Sequence, residues 1–303
     1  MVQEVAGSNP VTHPSTGVAP AAARDVEERA MSDDLGVTRS VSEGIARFTI
    51  NRPEAGGALN HAMRDQLAAW FHDASADLHI RVIVLASNGT KGFCTGADLR
   101  SIPADSRPKP EGAPDKVVFD NARVIRDGWQ RLVTSVLDCE KPVIGQVQAV
   151  AAGGGLHLAL ACDLVVAGES ASFVEAFIRR GIAPDAAGAW ILPRLIGIQK
   201  AKELCFFGDS VSASDAERMG LINRVVPDGD LDATVDALAR RLAVAPTKAI
   251  TVTKALLNRS LDVDRTTSLY EEAHGQEMVT MTEDMREGIA AFVERRDPAF
   301  KGW

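Results

Sequence analysis

Two glycine clusters stand where short apolar runs give way to helical patterns. Gly96-Ala97-Asp98 follows the run Arg81-Val82-Ile83-Val84-Leu85-Ala86, and Gly153-Gly154-Gly155 follows Lys141-Pro142-Val143-Ile144-Gly145-Gln146-Val147. Glycine permits close backbone approach and positive φ, and the first turn of a helix leaves N–H groups unpaired at its positive end. Two such N–H groups that converge would form an oxyanion hole. Taken singly, each cluster is more commonly explained by a tight turn that needs glycine. Neither is a nucleotide fingerprint, because Gly153–Gly155 lacks the G-x-G-x-x-G spacing and no G-K-[ST] follows. The cysteines at 94, 139, 162 and 205 form no C-x-x-C, and no histidine sits at metal-ligand spacing. No metal site and no disulfide framework is expected, and a reducing cytoplasm fits this usage.

The 303 residues are 46% hydrophobic and 24% charged, with a formal charge of -8. That composition belongs to a packed globular protein. The acidity and the lack of a Lys/Arg cluster argue against nucleic acid or an anionic membrane as a partner and favour small molecules. The most apolar stretch, Ala149 to Ala167, is interrupted by Gly153, Gly154, Gly155, His157 and Asp163, so no membrane segment is read. Residues 1–30 have no run of large apolar side chains and are broken by Pro10, Pro14 and Pro20. They cannot build a core and are not a secretory signal. Ala6-Gly7-Ser8-Asn9-Pro10 can be encoded by the T-arm of a transfer RNA gene, and Glu27-Glu28 by a ribosome-binding site, so Met31 is read as the true start. Residues 1–34 are then a mis-assigned start, or else a disordered tail.

The elements that must position these turns alternate. Ala46-Arg47-Phe48-Thr49-Ile50 reads as a first strand ending at Asn51-Arg52-Pro53. Asn60 precedes a helical pattern of Met63, Leu67, Trp70 and Phe71 and is placed as its N-cap. The segment from Ile102 to Pro114, with four prolines, is a loop before an amphipathic helix from about Asp115 to Leu137. The next strand begins at Lys141, and a further strand covers Asp163–Ala167. This βαβ order implies an α/β domain. Beyond Pro227 the pattern is helical over Leu231–Val244, Thr247–Asn258, Val263–Thr280 and Glu283–Arg296, with no strands among them. The chain divides into an α/β core at 35–227 and a helical C-terminal region at 228–303, which would cover the core or a neighbouring subunit.

Several of these strings occur together and in order. Lys91-Gly92-Phe93-Cys94-Thr95-Gly96-Ala97-Asp98-Leu99, Ala152-Gly153-Gly154-Gly155-Leu156 and Leu160-Ala161-Cys162-Asp163 are joined upstream by Asn51-Arg52-Pro53 and Ala58-Leu59-Asn60. Downstream come Pro184-Asp185, Leu192-Pro193-Arg194-Leu195-Ile196-Gly197 and an ending in Asp297-Pro298-Ala299-Phe300-Lys301-Gly302. Over roughly residues 37–302 the chain resembles the crotonase superfamily, which holds enoyl-CoA hydratases and isomerases. The resemblance implies a core of repeated ββα units with a helical C-terminal part, a homotrimer or homohexamer, and acyl-CoA thioesters as substrates, with CoA belonging to the substrate and no separate cofactor. It maps the two oxyanion donors onto the N–H groups of Ala97 and Gly154, where charge develops as the thioester becomes enolate-like. Asn60, Gly96, Ala97, Asp98 and Leu99 fall in segments that, by the same resemblance, approach the CoA moiety.

The resemblance also shows departures. The two glutamates with which hydratases position water map onto His157 and Phe177, so both carboxylates are missing from their expected places. Asp185, eight residues after Phe177, stands where dienoyl-CoA isomerases and the ring-opening isomerases of aromatic acyl-CoA degradation carry an aspartate for proton transfer. By that likeness Asp185 is the favoured proton-transfer group and double-bond isomerisation the favoured reaction. Hydration by another route, enolate-based C–C or thioester cleavage, and a catalytically silent acyl-CoA-binding protein stay open. Asp185 could instead cap the helix that carries Trp190. His157 could act as an acid/base partner or be a packed, hydrogen-bonded residue. Glu175, two residues from the expected glutamate, is placed on a solvated face, although a local slip could bring it into play. Cys94 is assigned to packing, and Trp190 is the tryptophan placed to line an acyl pocket.

Overall fold

In the computed structural model, which describes residues 35–101, 110–114 and 117–303, strands that follow one another in the chain alternate between two sheets. The proposed start at Met31 and most of the Ile102–Pro114 loop lie outside the described residues. The larger sheet has the order β1 (Val37–Ser42), β2 (Ile45–Ile50), β3 (Val82–Ser87), β5 (Val143–Val147), β7 (Leu164–Gly168) and β10 (Arg224–Val226). The smaller has the order β4 (Gly92–Cys94), β6 (Val150–Ala152), β8 (Ser172–Val174) and β9 (Ser210–Ser212). Pairing is parallel except between β1 and β2, which form a hairpin, and between β8 and β9, which are joined through a helix. Each of β3–β4, β5–β6 and β7–β8 is thus one strand of each sheet, which is the expected repeated ββα core.

One strand precedes the one expected to be first. β1 pairs with β2 through a turn at Glu43 and Gly44, whose φ values of 53° and 79° match the primed hairpin turns. The near-continuous apolar run of β3 follows from burial on both faces. Ile83 and Leu85 join the main core, while Val82, Val84 and Ala86 face the other way against Leu231, Val235 and Ala239.

Helix α1 (His61–Ala76) begins at Asn60, whose side chain accepts from the N–H of Met63 at 2.9 Å, as read from the sequence. It buries Met63, Leu67, Trp70 and Phe71, with Phe48 against both aromatic rings at centroid distances of 5.4 and 5.1 Å. The helix expected from about Asp115 begins at Asp120. It runs as α2 (Asp120–Ile125), through a π turn at Arg126–Gln130, into α3 (Arg131–Leu137). Helix α4 (Gly154–Leu160) follows the second glycine cluster, and α5 (Gly188–Phe207) is broken at Gly197, where φ is 74° and ψ is 160°. A short α6 (Ala213–Arg218) leads to β10.

Of the C-terminal helices, α7 (Leu231–Ala243) closes the back of the larger sheet and so belongs to the core. The next three are α8 (Thr247–Arg259), α9 (Arg265–Thr280) and α10 (Glu283–Glu294). Helix α8 is tied down by Lys254, whose buried ammonium donates to the carbonyls of Val136 and Lys141 and to Asp163 Oδ2 at 2.9 Å. Removing one partner of such a pair leaves the other charge in the interior. Lys254→Met should therefore lower unfolding stability by roughly 3 kcal/mol, measured by denaturant titration of the full chain. Helices α8 to α10 and the turns between them expose Leu257, Leu261, Tyr270, Met281 and Phe292.

Candidate active site

The two glycine turns meet between the smaller sheet and α4. Leu59 bridges the first turn, its N–H donating to Gly96 O and its carbonyl accepting from Asp98 N, so the turn lies as a short parallel pairing with Leu59. The intervening N–H of Ala97 donates to no acceptor among the described residues. Gly153, at φ 54°, donates to Val174 O and hands the chain to α4, whose first N–H, that of Gly154, is likewise without a protein acceptor among the described residues. A methyl group on Gly96, which has φ 94°, would stand 3.2 Å from Ala152 O and 3.6 Å from Gly154 N. The two donor segments are in contact, and each offers one N–H without an acceptor among the described residues.

Glycine is required here by close approach. A Cβ on Gly155 would overlap the backbone carbonyl of Cys94, which lies directly behind α4. Burial pushes the Cys94 thiol up to about 12, so it stays neutral and serves as packing, as its sequence reading held. Trp129 covers the other side, its indole 2.9 Å from where a Gly154 Cβ would be. The sequence pointed to Trp190 as the pocket tryptophan; Trp129 is the one that packs on the donor helix. The π turn at 126–130 puts it there, and nothing in the local sequence marks that turn. Trp190 lines a groove of about 520 Å³ beneath α8 with Leu137, Ile191 and Leu257, and stacks on Arg194.

Asp185 is half-buried and does not cap α5. The position before that helix belongs to Ala187 in the left-handed region, with no side-chain bond, and Gly188 N donates to the Asp185 backbone carbonyl. The capping reading is thereby corrected. Asp185 Oδ1 is sealed from solvent with no hydrogen-bond partner. Burial pushes its carboxyl above the usual carboxylate range, against the pull of His157 and Arg64 and with a further push from Glu175.

His157 and Glu175 form a buried pair, Nε2 to Oε2 at 2.9 Å, with both side chains fully enclosed. Glu175 is not on a solvated face, contrary to the sequence reading. It sits immediately after β8 and points inward, where strand alternation gives no cue. The imidazole lies flat on Gly188, where any side chain would overlap it, and stacks on Phe177 at 5.3 Å. His157 Nδ1 and Glu175 Oε1 are both buried without partners. The carboxylate engages Nε2, so His157 is the packed, hydrogen-bonded residue of the two readings. Three orphaned polar atoms, from Asp185, His157 and Glu175, gather beside the donor turns.

The chain matches the family model for enoyl-CoA hydratase/isomerase over residues 40–303. It belongs to that family. Among its relatives, the 1,2-epoxyphenylacetyl-CoA isomerase of Escherichia coli is 37% identical over 86% of this chain and 97% of its own. The 2,3-dehydroadipyl-CoA hydratase of the same organism is 34% identical over 87% and 97%. The crystal structure of an enoyl-CoA hydratase from Bacillus anthracis superposes with a TM-score of 0.79 at 30% identity, covering 88% of this chain and all of the other. The crotonase-type fold and membership of the crotonase superfamily are therefore established for this chain.

Asn60 and Asp98, in the segments read as approaching CoA, also hold the local structure. Asp98 is buried and paired with Arg52 at 3.0 Å and Arg100 at 3.2 Å, and its N–H holds Leu59. Burial works against its charge, but the two arginines outweigh that and hold the carboxyl below the usual range. Asn60 caps α1, and Leu99 is exposed at the mouth of the turn. Among the described residues no group of His, Cys, Asp and Glu could hold a metal ion, and no helix is long and apolar enough to cross a membrane.

Proposed function

We propose that this enoyl-CoA hydratase/isomerase family enzyme moves a double bond within an enoyl-CoA thioester, with the N–H groups of Ala97 and Gly154 holding the thioester oxygen and Asp185 carrying the proton. CoA enters as part of the substrate, with no separate cofactor, and the working form is a cytoplasmic homotrimer or homohexamer. The observation that supports the reading is the buried Oδ1 of Asp185, which has no partner among the described residues while its residue does not cap α5.

The steps balance on one carboxylate. Asp185 takes a proton from Cα of a 3-enoyl thioester, and the electron pair moves toward the thioester oxygen, where two N–H donors stabilise the dienolate. Asp185 returns the proton at Cγ, giving the 2-enoyl thioester. Its raised pKa narrows the gap to a carbon acid and makes the carboxylate a stronger base than an exposed one. Phe177 cannot activate water, and the His157 nitrogen facing Glu175 is already committed.

The purified full chain, given 3-enoyl-CoA in deuterium oxide and followed by NMR, should yield 2-enoyl-CoA with label only at the exchanging carbons. Accumulation of a 3-hydroxyacyl thioester at the initial rate, with no migrated alkene, would overturn the reading in favour of hydration.

A further inference from the structure

Arg64 is one turn into α1, its side chain 95% buried by its 5% exposure, and no ion pair or hydrogen bond from its guanidinium is found among the described residues. Its Nε is sealed from solvent without an acceptor, while the two Nη atoms are not sealed and donate to no protein oxygen among the described residues. Arginine stays charged at any ordinary pH, so this is a largely buried cation without a bonded counter-ion among the described residues, an arrangement that folding alone disfavours. The surrounding structure is built to hold it. The guanidinium carbon lies 5.5 Å from the centroid of the Trp129 ring, and a methyl on Gly128 would stand 2.9 Å from Nη1. Gly128 and Trp129 both belong to the π turn, a local form that recurs at functional positions. The same indole packs on Gly154, one of the two proposed donors. Arg64 is therefore one aromatic ring away from the thioester oxygen site and on the side where its charge is felt by Asp185.

We propose that Arg64 is a specificity residue that receives a carboxylate at the distal end of the substrate's acyl chain, so that the preferred substrates are CoA thioesters of ω-carboxylated acids. This rests on the thioester reading given above and adds the chemistry of the acyl end. The planar fork of guanidinium matches a carboxylate by paired N–H···O bonds, and such bonds are strongest where water is excluded. A site left with an unpaired buried donor discriminates against a ligand that lacks the matching acceptor. Asp185 faces the same cation, but it makes no bond to it and keeps its own Oδ1 free.

The test is binding, not turnover, so it does not depend on which reaction follows. Saturated acyl-CoA thioesters of four to ten carbons, ending either in a methyl group or in a carboxylate, are titrated by calorimetry into the full-length wild-type chain and into Arg64→Met and Arg64→Lys. The wild type should bind the best carboxylate-ended thioester at least about 30-fold more tightly than its methyl-ended counterpart, the size expected for a desolvated charge pair. Arg64→Met should abolish that ratio without weakening the methyl-ended series, Arg64→Lys should keep part of it, and the melting temperature of Arg64→Met should equal or exceed that of the wild type. Equal affinity for the two series in the wild type, or a preference that survives in Arg64→Met, overturns the proposal and leaves the thioester reading intact. Failure of both series to bind the wild type overturns both.

Discussion

Asp185→Asn is expected to lower kcat/KM for double-bond migration by about 10²–10⁴-fold, with affinity for a saturated acyl-CoA unchanged. Asparagine keeps the volume but cannot accept a proton from carbon, and the free N–H groups of Ala97 and Gly154 are untouched by the change. The pH profile gives a second readout. Because burial raises the Asp185 carboxyl above its ordinary range, the acidic limb of the wild-type kcat/KM profile should fall at a pH above that of an exposed carboxylate and vanish in Asp185→Asn. Stability should move the opposite way. Between the ordinary carboxylate value and the raised folded value, the native state holds a proton that the unfolded chain has released. Stability from this group is therefore full below the unfolded value and is lost as pH rises through the folded one. At neutral pH the ionised Asp185 is a net cost, and Asp185→Asn should melt at or above the wild-type temperature while losing activity. A variant that both unfolds early and keeps its turnover per folded molecule would show Asp185 to be a structural residue.

Gly96→Ala is expected to lower kcat by about 10²–10³-fold, comparable to losing one oxyanion donor. Two features make this larger than an ordinary glycine substitution. With φ at 94°, Gly96 is in the left-handed region, which alanine adopts only under strain, and the new methyl would press on the Ala152 carbonyl at 3.2 Å and approach Gly154 N at 3.6 Å. Relief must come from moving the turn away from α4, which separates the N–H of Ala97 from that of Gly154. The cost should appear in kcat more than in KM, because the donors act on charge that develops after binding. Single-turnover kinetics beside an equilibrium binding measurement would separate the two, and a loss confined to binding would place Gly96 in the CoA-contacting part of the turn.

Much of the site was legible because it is made of local rules. Gly96 and Gly153 adopt positive φ, Asn60 caps α1, and α8 to α10 begin within about two residues of where their apolar patterns start, since caps and helical periodicity are properties of a few neighbouring residues. The order of the motifs carried the family, and the roles proposed for Ala97, Gly154 and Asp185 come from that resemblance. The smaller sheet was not legible. Its strands β4, β6, β8 and β9 are three residues each, too short to show an alternation, and their pairing joins segments that are far apart in sequence.

The same distinction runs through the chemistry. By itself the sequence indicated which backbone turns could donate to an oxyanion, and its resemblance to the family put His157 and Phe177 at the positions read for the two glutamates, with an aspartate eight residues further on. Only the tertiary structure decided what the titratable side chains do. Glu175 reads as solvated because a lone glutamate beside a short strand is usually so, yet the closing of β8 over α4 gives it His157 as a partner 18 residues away. Asp185 follows a proline near a helix start, the ordinary setting of a cap, yet the left-handed Ala186 and Ala187 turn its carboxyl inward. Arg64 sits among polar residues of an amphipathic helix, yet the π turn at 126–130 folds an indole over it and leaves its charge without a bonded partner. Each outcome depends on which groups are desolvated together. Desolvation is a property of the packed interior, to which segments distant in the chain contribute, and no local pattern of residues encodes it.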